Sequence, residues 1–437
     1  MADIRKLIAV ACVLTGALAR VPVDAGEATG SACTVLGLVS CPQPYDARIP
    51  DPKDMLLWTQ PERVIGFRNT FRMYGGDVFH VGEGSPYPLP RAKRTLPRIG
   101  YRIQGRRFGL EDYLRHQSVT GLLVLKDGAV AYEFYGGGNT EKTLWTSRSV
   151  AKSVVSILIG VAIGERLIKS VNDPISDYLP ELRESAWREV TLRELLQHTS
   201  GVAWNENYAD PASDFARLTH CEADAAPYDC VFGLVRSVKR LPGVAPGERW
   251  SYNTGGAWLA GRILEQATGM PIAKYLQSRI WSRFAMESDG VWEALIPGRV
   301  DMGGHGFNAA LRDWGRFALF VSREGRLPNG EQLLPPGWIR DSTTWTHARG
   351  SVTPSTPDGQ YGYQWWFLDA TSPVRQKQVT ETAKHSFWAE GIYGQSIAID
   401  PSSGLILVQW STWEKAEMPD VFYDEQAVFL DALARAL

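Results

Sequence analysis

The sequence has 437 residues, with 46 Lys+Arg against 48 Asp+Glu, 44% hydrophobic residues and 22% charged ones. These proportions describe a globular chain rather than a disordered one, and the length implies one large or two interlocked folding units. A net charge of −2 gives no polybasic footprint for nucleic acid or an anionic membrane, and no apolar run reaches the roughly 20 residues of a bilayer span.

In chain order, the first 19 residues read as a signal peptide. Arg5 and Lys6 precede an apolar stretch from Leu7 to Ala19, and Ala17-Leu18-Ala19 supplies the small-x-small pattern of a cleavage site. The expected location is periplasmic or secreted. Cleavage there removes Cys12 and leaves Cys33, Cys41, Cys221 and Cys230, two close pairs without zinc or C-x-x-C redox spacing. In an oxidising compartment each pair can close a local loop, Cys33–Cys41 and Cys221–Cys230.

Residues 20–110 are expected to be an irregular lead-in, with Pro, Gly and Asp concentrated before residue 60. From Thr120 the pattern sharpens. Gly121–Leu125 and Ala129–Tyr135 flank Lys126-Asp127-Gly128, which predicts a β-hairpin with a type I′ turn. A polar connection then leads to a mostly apolar helix expected over Val150–Leu167. Further helical patterns cover 191–197 and 256–268. Strand patterns cover 361–367, 395–399 and 405–410, and a closing helix is expected from about Glu425 to Leu437. Strands at both ends with helices between predict an α+β fold: an antiparallel sheet built from both chain ends and flanked by helices, with a helical insertion. The sheet-containing part would span about 111–165 and 300–437, and the insertion about 166–299.

The sequence lacks a phosphate loop, an H-E-x-x-H helix and a G-x-S-x-G elbow, and no metal or cofactor is implied. His198 and His305 lie in Gly-flanked turns and read as structural hydrogen-bonders. Ser149-Val-Ala-Lys152 is the informative segment. Ser149 sits where the loop enters the apolar helix, and Lys152 follows one turn later on the same face, so hydroxyl and amine can meet. A lysine on an apolar helix is desolvated and becomes a competent base, while the helix N-terminus favours charge developing at the serine. Alone the motif is weak, because 28 Ser and 12 Lys give about one such spacing by chance.

The rest of the constellation carries more weight. After Ser149-x-x-Lys152 come Leu195-Leu-Gln-His-Thr-Ser-Gly201, Glu248-Arg-Trp-Ser-Tyr252-Asn-Thr-Gly255, Ala267-Thr-Gly269 and Gly391-Ile-Tyr-Gly-Gln395, in that order. This ordered set resembles the class C β-lactamase-like serine hydrolases over roughly 115–435. Trp204–Ser213 and Tyr363-Gln-Trp-Trp366 are similar to segments of the 6-aminohexanoate-dimer hydrolase group within it.

The resemblance implies a hydrolase unit over 111–437 with Ser149 as nucleophile, Lys152 as its base and Tyr252 as the proton-relaying tyrosine. It implies an oxyanion hole from the N–H groups of Ser149 and Ile392, and substrate contacts from Tyr208 and Tyr393. Trp204 is a further candidate contact. The Asn of the family's Y-x-N motif is replaced by Thr254, and its K-T-G strand reads Ala389-Glu390-Gly391. A lysine there binds a drug's carboxylate whereas Glu390 repels one, so a neutral or cationic amide or ester is the expected small-molecule partner. The alternatives are a penicillin-binding D-Ala-D-Ala carboxypeptidase or β-lactamase, and a non-catalytic binding protein on the same scaffold.

Overall fold

The computed structural model describes residues 48–93, 96, 99–343, 361–367 and 385–437. The signal-peptide and Cys33–Cys41 assignments lie outside them.

The described residues form thirteen strands. These are β1 (Gly76–Phe79), β2 (Gly100–Ile103), β3 (Arg106–Gly109), β4 (Val119–Lys126), β5 (Ala129–Tyr135), β6 (Trp145–Thr146) and β7 (Gly290–Ile296). There follow β8 (Val300–Asp301), β9 (Phe307–Ala309), β10 (Trp366–Phe367), β11 (Phe387–Gly391), β12 (Gln395–Asp400) and β13 (Leu405–Ser411). The main sheet is antiparallel throughout and runs β10-β11-β12-β13-β4-β5. It joins the predicted hairpin to the C-terminal strands, as the pattern at both chain ends requires. Asp127 and Gly128 both take positive φ, the backbone that a type I′ turn demands.

The apolar runs of β4 and β13 are continuous because both faces are covered. Leu123, Leu125, Ile406 and Val408 point toward the helices Val150–Gly164 and Leu311–Ser322. Their neighbours Leu122, Val124, Leu405 and Leu407 pack on the C-terminal helix Asp420–Ala436. That helix starts five residues before the expected Glu425. Pro419 caps it, and Phe429 stacks on Tyr113 with ring centroids 3.7 Å apart.

Three local expectations are revised. The lead-in is not irregular throughout: it carries the helices Gln60–Phe67 and Thr70–Tyr74 and strands β1 to β3. Strand β1 joins a second sheet, β1-β7-β9-β6, with β8 paired to β7, so the expected insertion also contains strand β7. Only the last two residues of 361–367 extend as a strand. Gln364 turns the backbone to φ +64, where its amide and side chain both donate to the Leu196 carbonyl, at 3.1 and 2.7 Å.

The second sheet positions the site. Trp145 and Thr146 pair with Ala309 and Asn308, and Ser147 N–H donates to the Phe307 carbonyl at 2.8 Å. The segment entering the apolar helix is therefore tied to strand β9.

Candidate active site

Ser149 occupies the N-cap of the helix Val150–Gly164, one residue after Arg148, whose φ of +47 lies in the left-handed region. A non-glycine residue there is strained and is held by its surroundings. The helix is buried along nearly its whole length, so Lys152 projects into protein at 1% exposure. Lys152 Nζ donates to Ser149 Oγ at 2.9 Å and to the Gly304 carbonyl at 2.8 Å. Gly304 packs tightly against Thr254, where a Cβ would lie 2.9 Å from Cγ2.

Burial strips water from the amine and brings Lys152 down to about 8, against the opposing pull of Glu206 and Glu222. Tyr252 also hydrogen-bonds Ser149, and its ring centroid lies 5.2 Å from Lys152 Nζ. Burial pushes this phenol well up, and the nearby carboxylates Glu206, Glu390 and Glu417 reinforce the effect, so it is neutral at ordinary pH. The ring is wedged against Trp366, with centroids 5.5 Å apart, and against His198 at 4.6 Å. A serine hydroxyl shared between a desolvated amine and a neutral phenol is equipped for nucleophilic attack followed by proton return.

These groups open onto a cleft of about 660 Å³, bounded by Trp204, Tyr208, Trp366, Glu390, Ile392 and Tyr423 among others. Glu206, Asp214 and Glu417 also line it. Of the residues expected from sequence, Ser149, Tyr252, Ile392, Tyr208 and Trp204 thus line one cleft, with Lys152 immediately behind Ser149.

Tyr393 is a correction. Its φ of +63 turns the side chain away from the cleft, its ring packs on Phe67, and its hydroxyl lies 3.4 and 3.3 Å from the carbonyls of Met55 and Leu56. Gly391 fits closely beside Ser149: a Cβ there would stand 3.0 Å from Ser149 N and 2.7 Å from the Ser147 carbonyl oxygen.

Glu206 and Trp366 were missed. The Glu206 carboxylate is buried and accepts from Trp204 Nε1, from Tyr208 OH at 3.0 Å, and from both the amide and the hydroxyl of Thr254. Burial raises its pKa, while Lys152 and these donors pull the other way. A lone carboxylate between Trp204 and Tyr208 was its only signal in the sequence.

Residues 110–431 match the beta-lactamase family. The chain belongs to that family. The resemblance drawn from the motifs is therefore sound, and the protein is a serine hydrolase of this class with amidase and esterase relatives. It is 26% identical to the 6-aminohexanoate-dimer hydrolase of Paenarthrobacter ureafaciens over 346 residues, 75% of this chain and 81% of the relative. It is 29% identical to esterase EstB of Burkholderia gladioli over 157 residues, 34% of this chain and 39% of the esterase. Among solved structures, one from Bacillus anthracis assigned as a 6-aminohexanoate-dimer hydrolase superposes with a TM-score of 0.74 at 21% identity, covering 90% of this chain and 98% of that one. At that identity the likeness is one of fold. The Cys221–Cys230 disulfide is formed and joins the helices Asp214–Glu222 and Pro227–Ser237.

Proposed function

We propose that this member of the beta-lactamase family hydrolyses small linear amides or esters through an acyl-enzyme on Ser149. The observation that carries the reading is the 2.9 Å contact between Ser149 Oγ and the buried Lys152 Nζ at the floor of the cleft, with Tyr252 on the same hydroxyl.

Neutral Lys152 takes the Ser149 proton as Oγ attacks the substrate carbonyl carbon. The developing oxyanion is received by the backbone N–H groups of Ser149 and Ile392, an interaction type that commonly supplies the largest catalytic contribution. The close fit of Gly391 beside Ser149 N supports that placement. Collapse of the tetrahedral intermediate breaks the C–N or C–O bond. Tyr252 protonates the departing amine or alkoxide and is reprotonated from the Lys152 ammonium. Water then attacks the acyl-enzyme with Lys152 again as base, and the acid leaves as Ser149 recovers its proton.

Two features support the substrate class. The cleft presents Glu206, Asp214, Glu390 and Glu417, which disfavours a carboxylate-bearing drug and suits a neutral or cationic chain. The similar protein from Paenarthrobacter ureafaciens is a 6-aminohexanoate-dimer hydrolase, which points to a linear amide. Export through the segment 1–19 is part of the same proposal, and a disulfide suits an oxidising compartment.

A hydrolysis panel of p-nitrophenyl esters, aminohexanoate oligomers, nitrocefin and D-Ala-D-Ala peptides tests it. Turnover is expected on the first two and should vanish in Ser149→Ala. Dominant turnover of nitrocefin or of D-Ala-D-Ala peptides would overturn the substrate assignment.

A further inference from the structure

Behind the nucleophile, on the side away from the cleft, lies a second group of charges. His305 is held between two carboxylates, with Nε2 2.8 Å from Glu222 Oε1 and Nδ1 3.4 Å from Glu293 Oε2. All three are buried, at 7%, 3% and 0% exposure. They come from separate parts of the chain: the end of the helix Asp214–Glu222, strand β7, and the glycine-rich turn Gly303-Gly304-His305-Gly306. Two carboxylates buried this deeply are costly unless a cation neutralises them, and the imidazolium can do so.

The arrangement touches the reaction in two ways. The peptide joining Gly304 to His305 carries the carbonyl that accepts from Lys152 Nζ at 2.8 Å. Glu222 and His305 also wall a small internal cavity together with Ser149 and Lys152. Glu222 therefore lies close enough to favour the ammonium form of Lys152, the form that cannot act as base.

We propose that His305 is a positioning residue for hydrolysis: its imidazolium cancels the negative charge of Glu222 that would otherwise hold Lys152 as ammonium, and it fixes the Gly304 carbonyl that orients the amine. The inference rests on the assignment of Ser149 and Lys152 as nucleophile and base.

The surrounding charges fit this role. Burial alone drives an imidazole toward neutrality, but the charges of Glu222 and Glu293 and the Glu222 hydrogen bond prevail and push His305 up to about 9. Glu293 is brought down to about 2, because contacts with His305, Arg148 and Thr70 overcome the cost of burying it. Tyr74 feels Glu222, Glu293 and Arg148, and burial keeps it neutral. On the other side of Lys152 stand Glu206, Tyr252 and His198; burial and the lysine charge keep His198 neutral. His305 is thus a cation placed where it offsets one of the two carboxylates acting on Lys152.

The test follows the second-order rate of Ser149 labelling by a fluorophosphonate against pH, which needs no knowledge of the substrate. In His305→Gln the loss of positive charge should move the acid limb to higher pH by about one unit, so that labelling near pH 7 falls roughly tenfold and recovers on the alkaline plateau. In Glu222→Gln the limb should move the opposite way, to lower pH. A uniform loss at every pH in both folded variants, with the limb unmoved, would overturn the proposal and leave the cluster purely structural. Should His305→Gln not fold, Glu222→Gln decides alone: a limb displaced downward supports the proposal and an unmoved limb overturns it. Labelling that persists in Ser149→Ala would instead overturn the nucleophile assignment, so the two failures are distinguishable.

Discussion

The Glu206 carboxylate grips Thr254 twice, accepting its backbone amide at 2.9 Å and its hydroxyl. Thr254 begins the helix Thr254–Thr268 two residues after Tyr252. The contact ties the Trp204–Tyr208 wall of the cleft to the segment carrying Tyr252. Thr254→Val keeps the shape but removes one donor from a buried carboxylate. It should cost about 1–3 kcal/mol in urea unfolding, whereas Thr254→Ser should retain most of the stability. Equal stability of the valine and serine variants would show that the hydroxyl carries no weight.

Gly391 permits the close approach of strand β11 to Ser149, the proposed nucleophile. Alanine there places a methyl group 3.0 Å from Ser149 N and 2.7 Å from a carbonyl oxygen, both main-chain atoms with little freedom to yield. Gly391→Ala should lose about 1–3 kcal/mol of stability through overpacking. It should also slow fluorophosphonate labelling at least tenfold by displacing an oxyanion donor. A variant that labels at the parent rate would separate Gly391 from the oxyanion site.

The pH dependence has a definite sign. In the proposed mechanism Lys152 acts as base only when neutral, and desolvation brings it to about 8 from the ordinary lysine range. The activity kcat/KM should therefore rise about tenfold per pH unit below 8 and level off above it. Tyr252 is raised, not lowered, so it adds no second limb near neutrality. A profile already flat from pH 6 would mean that Lys152 is neutral much lower, or that another group is the base.

The disulfide Cys221–Cys230 spans nine positions and fixes the end of the helix that presents Glu222. Replacing both cysteines with serine should remove about 2–3 kcal/mol, the loop-closure entropy of so short a ring. Chemical unfolding of the oxidised, reduced and double-serine proteins would measure it. Identical midpoints for all three would show that the cross-link adds nothing to stability.

Much of the site was legible because its parts are local. Ser149 and Lys152 share one helical turn, so their meeting needs only helix geometry. The hairpin around Asp127-Gly128 follows from two adjacent residues that tolerate positive φ. Tyr208, Trp204 and Ile392 came from ordered motifs, and the cleft collects them. Tyr393 failed because adjacency in a motif says nothing about direction: one left-handed residue sends its ring to Phe67. The irregular lead-in failed at its strands for the converse reason. Strand β1 is short and gains its order from pairing with β7, more than 200 residues away.

By itself the sequence determined the sheet built from two chain ends, the apolar helix with its serine and lysine, and the family to which the chain belongs. Each of these is written in short-range periodicity or in motifs. Only the tertiary structure decided which charges face one another. Glu206 reaches Thr254 across 48 positions, and His305 reaches Glu222 across 83. No periodicity encodes such pairs, because burial makes each charge depend on whichever distant partner the fold delivers.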